Sequence, residues 1–230
     1  MGKYFLKKLR NQIRFGWLRW GDFNSVSPIN KSWGFNRGKP IDRFYIEKFI
    51  ELNSGLIKGN VLSVGDDYYA KKYGGSLLKE SNILNLYPTD NSTIVADLAD
   101  ANEVDSNQFD CFLLIQTLQL IYDLDSAVET AYRILKPGGY LLVTVPGITP
   151  LKDEEWNESW FWNLTLLSAK RLFETHFKAE NLTIEVHGNA LAATAFLHGL
   201  AVEDVGVSKL QYADSGFPVT ITVRGKKESS

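Results

Sequence analysis

The sequence predicts an α/β fold in which a mostly parallel sheet carries helices on both faces. Three observations lead there. The runs VLSV (61–64), ILNLY (83–87), TIVADL (93–98), FDCFLLIQT (109–117) and YLLVTVPG (140–147) are nearly continuous in apolar and β-branched residues, the pattern of strands covered on both sides. Between the last two, DLDSAVETAYRILKPGG keeps Ala127, Ala131, Ile134 and Leu135 at helical spacing, with Pro137-Gly138-Gly139 reading as the helix end. The first run stops at Gly65, as a strand does when it hands over to a ligand-holding turn.

Composition bounds the rest. With 230 residues, 44% of them hydrophobic and 13% aromatic, the chain can bury one sizeable core. A net charge of −2 supplies no overall basic field, so free nucleic acid is not expected as a partner. Cys111 is the single cysteine, which excludes an internal disulfide and a four-cysteine zinc site and fits a reducing, cytoplasmic setting. The three histidines show no metal-ligand spacing, and no metal is expected. No window approaches eighteen uninterrupted apolar residues.

The remaining elements follow in order. Residues 1–20 carry Lys3, Lys7, Lys8, Arg10, Arg14 and Arg19 interleaved with Phe5, Leu6, Leu9, Ile13, Phe15, Trp17 and Trp20. This reads as a basic amphipathic helix, which either packs on the domain or lies on an anionic membrane surface. NSVSPINKSWGFNRGKP (24–40) is rich in Ser, Asn, Gly and Pro and predicts an ordered loop. In IDRFYIEKFIELNSG, Ile41, Tyr45, Phe49 and Leu52 share a face and Gly55 lies past the end, predicting a helix. YYAKKY (68–73) predicts a short helix capped by Asp67 and ended at Gly74. A helix is expected over 165–177 and strands over 182–189 and 217–227.

The loop after the first strand carries the chemistry. A dinucleotide fingerprint would continue with glycines, and the chain instead has Asp67 and Tyr69. Two aspartates, Asp66 and Asp67, would repel a pyrophosphate at a helix N-terminus.

GNVLSVGDD, ADL at 96–98, FDCFLLIQTLQLI and the helix ending RILKPGGYLLVTVPG together resemble class I S-adenosylmethionine-dependent methyltransferases. The first motif departs from that family's acid-x-Gly-x-Gly-x-Gly, reading Ser63, Gly65, Asp67 and Tyr69. The resemblance implies a Rossmann-like, seven-stranded, mostly parallel sheet with a reversed last strand and an N-terminal helical cap. Its strands are 61–64, 83–87, 93–96, 109–115, 140–145, 182–187 and 217–224, and the chain divides into a cap (1–57) and a methyltransferase-like domain (58–230). It implies S-adenosylmethionine as cofactor, held by Gly65, Asp66, Asp67, Asn85, Leu86, Asp97, Leu98, Gln116 and Thr117, with Asn85 in place of the usual ribose-binding acid and Asp97 receiving the adenine amino group. SPINKSWGFNRGKPIDRFYIEKF and GNALAATAFLHGLAVEDV resemble more narrowly a bacterial branch found beside glycosyltransferases in surface-glycan pathways.

That branch implies a sugar of a glycan or glycolipid intermediate as acceptor and a glycosyltransferase partner; the lack of an NPPY-like signature favours O-methylation, and the basic segment 1–20 suits peripheral membrane contact. The family's strand order puts the connection 188–216 on the ligand edge, which makes His198 the candidate general base and Asn189 a candidate substrate contact. Arg37, Arg43 and Tyr45 from the cap, and Trp160 and Trp162 from the aromatic loop after the fifth strand, are the further candidates for the acceptor. Asp42 reads as a counter-charge to the arginines. Loss of two motif glycines and of the usual acids leaves a second reading, a catalytically inactive methyltransferase-like module that binds a glycan-synthesis enzyme or a membrane.

Overall fold

A computed structural model describes residues 21–151 and 158–229. The basic segment 1–20 and Trp156 of the aromatic loop lie outside the described residues. Seven strands form one sheet: β1 (Gly59–Val64), β2 (Leu78–Asn85), β3 (Ile94–Val95), β4 (Phe109–Ile115), β5 (Leu135–Pro146), β6 (Leu182–His187) and β7 (Thr220–Lys226). Their spatial order is β3-β2-β1-β4-β5-β7-β6. β7 runs antiparallel to both neighbours, β5 and β6, and the pairs among β1 to β5 are parallel. The reversed last strand expected from the resemblance is therefore present, inserted between β5 and β6.

Alternation along the central strands divides the core. Leu62, Phe112, Leu114, Leu141 and Val143 face one layer, where α3 (Leu124–Ile134) contributes Ala127 and Ala131 and α4 (Leu166–Glu174) contributes Phe173. Val61, Cys111, Leu113 and Leu142 face the opposite layer, covered by Ile46, Phe49 and Ile50 of α1 (Ile41–Leu52) and Ala70 of α2 (Tyr68–Gly74). The period-2 geometry of a strand dictates this split: neighbouring residues point to opposite faces, so a strand buried on both sides must be apolar throughout. Truncating a side chain such as Phe112, fully buried, costs about 3–5 kcal/mol.

α1 also joins a third cluster. Its Ile41 and Tyr45 pack with Ala192, Ala195 and Phe196 of α5 (Ala190–Leu197), Val202 and Val205 of α6 (Val202–Val205), and Leu210 of α7 (Val207–Leu210). The loop before α1 is tied to the same region: Pro40 bridges Ala201, Val202 N donates to Lys39 O at 2.8 Å and Asn30 N to His198 O at 3.0 Å. The N-terminal segment and the connection between β6 and β7 thus build one wall above the ligand edge of the sheet.

Three local expectations are corrected. LKPGG does not end a helix, because α3 stops at Ile134 and Leu135 already pairs with Phe109. Lys136 precedes a proline and is driven to extended backbone, and a Cβ at Gly139 would come within 2.8 Å of Lys136 O, so this motif is a strand-opening bulge. Asp67 caps no helix amide through its side chain; Asp66 Oδ1 accepts from Tyr68 N at 2.9 Å and Asp67 pairs with Lys71. The final strand begins at Thr220 rather than Phe217, after Phe217 N closes a turn on Asp214 O.

Candidate functional site

The carboxyl ends of β1, β2 and β4 open onto a cleft of about 830 Å³. Gly65, Asn85, Leu86, Asp97, Leu98, Gln116 and Thr117 all line it, so seven of the nine expected cofactor residues come together. Asp66 and Asp67 do not line it, since their carboxylates are engaged by Tyr68 N and Lys71 at the start of α2. What the loop keeps is Gly65 at φ +81, a left-handed turn that a side chain would strain.

Each remaining group has a fixed orientation. Asn85 Nδ2 donates to Thr89 Oγ1 at 3.1 Å and Ser92 Oγ at 2.9 Å, which leaves its oxygen as the end that can accept from a ligand hydroxyl. Asp97 Oδ1 accepts from Ala99 N at 2.9 Å and caps the short turn Leu98–Asp100, which holds the carboxylate at the cleft beside the apolar wall of Leu86 and Leu98. The opposite rim carries Tyr122 and Phe161, edge-to-face at 5.4 Å. These donors and acceptors suit a ligand with hydroxyls, an amino group and an apolar ring face.

Gln116 occupies a left-handed conformation, φ +50, that costs a non-glycine residue about 1–3 kcal/mol. Its neighbours hold it there. Gln116 N donates to Thr144 O at 2.9 Å, and Gln119 Nε2 donates to Gln116 O at 2.9 Å. The kink places Gln116 and Leu120 in the wall shared with a second cavity, of about 220 Å³. Trp33, Phe35, Trp160 and Phe196 give that cavity aromatic walls, and Asp42, Arg43 and Gln119 its polar groups. The loops above it are cross-tied: Trp33 Nε1 donates to Pro150 O at 3.4 Å and Phe161 N to Gln119 O at 2.8 Å.

Of the expected acceptor contacts, Arg43 and Trp160 line this cavity and the others do not. Arg43 Nη1 donates to Tyr69 OH at 3.3 Å. Arg37 instead forms a two-pronged pair with Asp204 at 2.8 and 2.7 Å, because the loop 30–38 folds onto α6. Tyr45 is buried, donates to Leu210 O at 3.0 Å, and burial pushes its phenol up to about 12. Trp162 Nε1 donates to Ile121 O at 3.1 Å and its ring packs on the core. Asn189 caps α5 and spends its amide on Lys209 O and Tyr212 O.

His198, the expected general base, lines neither the cleft nor the smaller cavity. It sits at the C-cap of α5 with its ring edge-to-face on Phe23 at 5.1 Å. Trp33 and Phe35 were not among the expected site residues, Gln119 was expected beside Gln116 and Thr117 near the transferred methyl, and Asp42 was expected only to balance charge. SWGFN, with two aromatics around a glycine in a polar loop, was the one signal available for the first two, since such rings have no helix or strand face to pack.

Residues 61–143 match the methyltransferase domain family. A ubiquinone/menaquinone biosynthesis C-methyltransferase, UbiE of Allorhizobium ampelinum, is 36% identical over 87 residues, covering 38% of this chain and 28% of that protein. The alignment thus spans just over a quarter of the relative's length. Among solved structures, an S-adenosylmethionine-dependent methyltransferase from Mesorhizobium loti superposes with TM-score 0.54 at 12% identity, over 81% of this chain and 98% of its own. Phosphoethanolamine N-methyltransferase 2 of Haemonchus contortus, in complex with S-adenosyl-L-methionine, gives 0.52 at 16% identity over 91% of this chain and 55% of its own. The [4+2]-cyclase SpnF gives 0.53 at 15% identity over 98% of this chain and 93% of its own, so the architecture also serves a different reaction. The strand order β3-β2-β1-β4-β5-β7-β6 and the match at 61–143 identify the fold as that of class I S-adenosylmethionine-dependent methyltransferases, with its methyltransferase-domain core between Val61 and Val143.

Proposed function

We propose that the chain transfers the methyl group of S-adenosylmethionine to a hydroxyl oxygen of a sugar in a glycan or glycolipid intermediate. The observation that carries the reading is the meeting of two cavities at Gln116: a large cleft at the carboxyl edge of β1, β2 and β4, and a smaller one walled by Trp33, Phe35 and Trp160. Aromatic faces in a small cavity with a few convergent polar groups suit a sugar ring.

The residues of the larger cleft fit the cofactor. When bound, S-adenosylmethionine supplies an electrophilic methyl on a sulfonium. Asp97 would accept from the adenine amino group, Asn85 Oδ1 from the ribose hydroxyls, and Leu86 and Leu98 would flank the ring. Gly65 gives the turn between β1 and α2 its left-handed backbone. Gln116 would stand at the boundary between cofactor and acceptor, so the acceptor oxygen is held in line by the shared wall. Direct displacement at a sulfonium carbon gains most of its rate from such alignment.

A glycosyltransferase neighbour and a membrane surface met through residues 1–20 belong to the same reading and rest on the sequence alone. The inactive-module reading draws on Asp67 and Tyr69 standing where the family has glycines. Calorimetry with S-adenosylhomocysteine separates the two. Binding is expected, weakened about tenfold to a hundredfold in Asp97→Ala, since a hydrogen bond to a charged group contributes about 1.5–3 kcal/mol. An absence of heat at millimolar ligand leaves only the module, and unchanged affinity in the variant moves the adenine elsewhere.

A further inference from the structure

Gln119 is 3% exposed, its Oε1 has no hydrogen-bond partner among the described residues, and the residue belongs to the lining of the smaller cavity. Its Nε2 is spent on Gln116 O, so the side chain cannot turn the oxygen away without losing that bond. A buried polar atom left unpaired costs about 1–3 kcal/mol, which a ligand donor can recover. Asp42 lines the same cavity from the first turn of α1, its Oδ1 accepting from Arg43 N at 2.8 Å. The lining of the cavity therefore combines a carboxylate, Asp42, and a cation, Arg43, with Gln119, whose buried Oε1 is left unpaired. At about 220 Å³ the cavity exceeds the roughly 150 Å³ that holds one benzene-sized ring.

Resting on the methyltransferase reading above, we propose that Asp42 takes the proton of the attacking hydroxyl and that Gln119 Oε1 accepts from a second hydroxyl of the same ligand, which is therefore a single polyol ring. The hydroxyl oxygen forms its bond to the methyl carbon as the carbon–sulfur bond breaks, the electron pair leaving on sulfur, and the O–H proton passes to the Asp42 carboxylate. Burial holds the Asp42 carboxyl above the usual carboxylate range, with Arg43 opposing. Arg43 is itself held between Asp42 and Tyr69, with Asp66 close enough to favour its charge. A carboxylate of raised pKa is a stronger base, and the rate should rise with pH through that raised value.

The probes are methyl α-D-mannopyranoside, methyl α-D-glucopyranoside and methyl α-L-rhamnopyranoside, offered to the full chain. Binding is read by ligand-observed NMR with S-adenosylhomocysteine saturating, and turnover with S-adenosylmethionine. At least one glycoside should bind and be methylated. Gln119→Leu, or Gln119→Met if the first variant melts early, should weaken its binding about tenfold, roughly one hydrogen bond to a buried group. Asp42→Asn should keep glycoside and cofactor binding while turnover falls at least a hundredfold and the acidic limb of the pH profile disappears. The proposal is overturned if none of the three glycosides binds, if a bound glycoside is not methylated, if Gln119 variants bind it normally, or if Asp42→Asn keeps the rate and the limb. Failure of the wild-type chain to bind S-adenosylhomocysteine overturns the methyltransferase reading and this proposal together; intact cofactor binding with any of the other failures overturns the proposal alone.

Discussion

Replacing Asn189 by alanine removes three hydrogen bonds from one buried position, and their cost can be worked from the structure. Asn189 Oδ1 accepts from Ala192 N at 2.9 Å as the cap of α5, and Nδ2 donates to Lys209 O at 2.9 Å and Tyr212 O at 2.8 Å. The side chain is 6% exposed, so water does not replace the lost partners. Loss of the cap costs about 1 kcal/mol, and the two bonds to carbonyls about 1 kcal/mol each, giving about 3 kcal/mol for Asn189→Ala. Asn189→Ser keeps the capping oxygen and loses only the donors, about 2 kcal/mol. For a chain of this size 1 kcal/mol corresponds to about 2–4 °C, so the alanine variant should melt about 6–12 °C lower and the serine variant about two thirds as far. Thermal unfolding followed by circular dichroism reads both shifts, and calorimetry checks that S-adenosylhomocysteine affinity at low temperature is unchanged. Wild-type melting temperatures in both variants would refute the structural role and return Asn189 to the list of ligand contacts.

His187 and the Arg37–Asp204 pair give two further tests. Burial lowers the imidazole pKa of His187, which stacks on Tyr45 and shares a hydrogen bond with Thr222 Oγ1 at 2.9 Å, with Glu185 opposing and Lys48 reinforcing the shift. The unfolded chain then binds the proton more readily, so the stability this group contributes is complete above the ordinary histidine value of about 6.5 and is lost as pH falls from there to the lowered folded value. His187→Gln should flatten the drop in melting temperature between about pH 7 and pH 5 relative to wild type; parallel curves would show that folding does not shift the titration of this ring. Arg37 and Asp204 form an exposed pair, and Arg37→Met should leave the melting temperature and S-adenosylhomocysteine affinity where they are. A large change in cofactor affinity on that substitution would mean that the arginine swings out of the pair and into the cleft.

The sheet was readable because its strands are apolar on both faces, a pattern that a half-exposed strand or an amphipathic helix does not produce. Strand ends were less legible. Leu78 to Glu80 belong to β2 although Lys79 and Glu80 are charged and exposed, because pairing with Gly59 and Asn60 satisfies their backbone whatever the side chains do. LKPGG misled for a related reason. Proline and glycines read as helix punctuation, and here they open a strand whose Gly138 N and Gly139 O bond to Lys227 at the far end of the chain. Nothing local in the sequence announces a partner that distant.

The cofactor cleft and the acceptor cavity differ in legibility because they are built by different means. Gly65, Asn85, Asp97 and Gln116 follow strands directly, so finding the strands locates the residues at their carboxyl ends, where open α/β sheets bind ligands. The smaller cavity is assembled from the loop before α1, α1 itself, the turn after β4, the loop after β5 and the connection between β6 and β7, segments spread along the chain from Trp33 to Val219. Which way a side chain turns there depends on contacts among all of them. Arg37 and Arg43 have the same chemistry and lie six positions apart, yet Asp204 draws the first away while the second remains in the cavity. His198 looked the most reactive group of its segment, but the cap of α5 fixes it against Phe23, and it lines neither the cleft nor the smaller cavity. A helix that sequence reading treats as an appendage to the sheet thus supplies Asp42 and Arg43 to the lining of the smaller cavity, and on the proposed reading changes at Asp42 should alter turnover while leaving the larger cleft able to hold its cofactor.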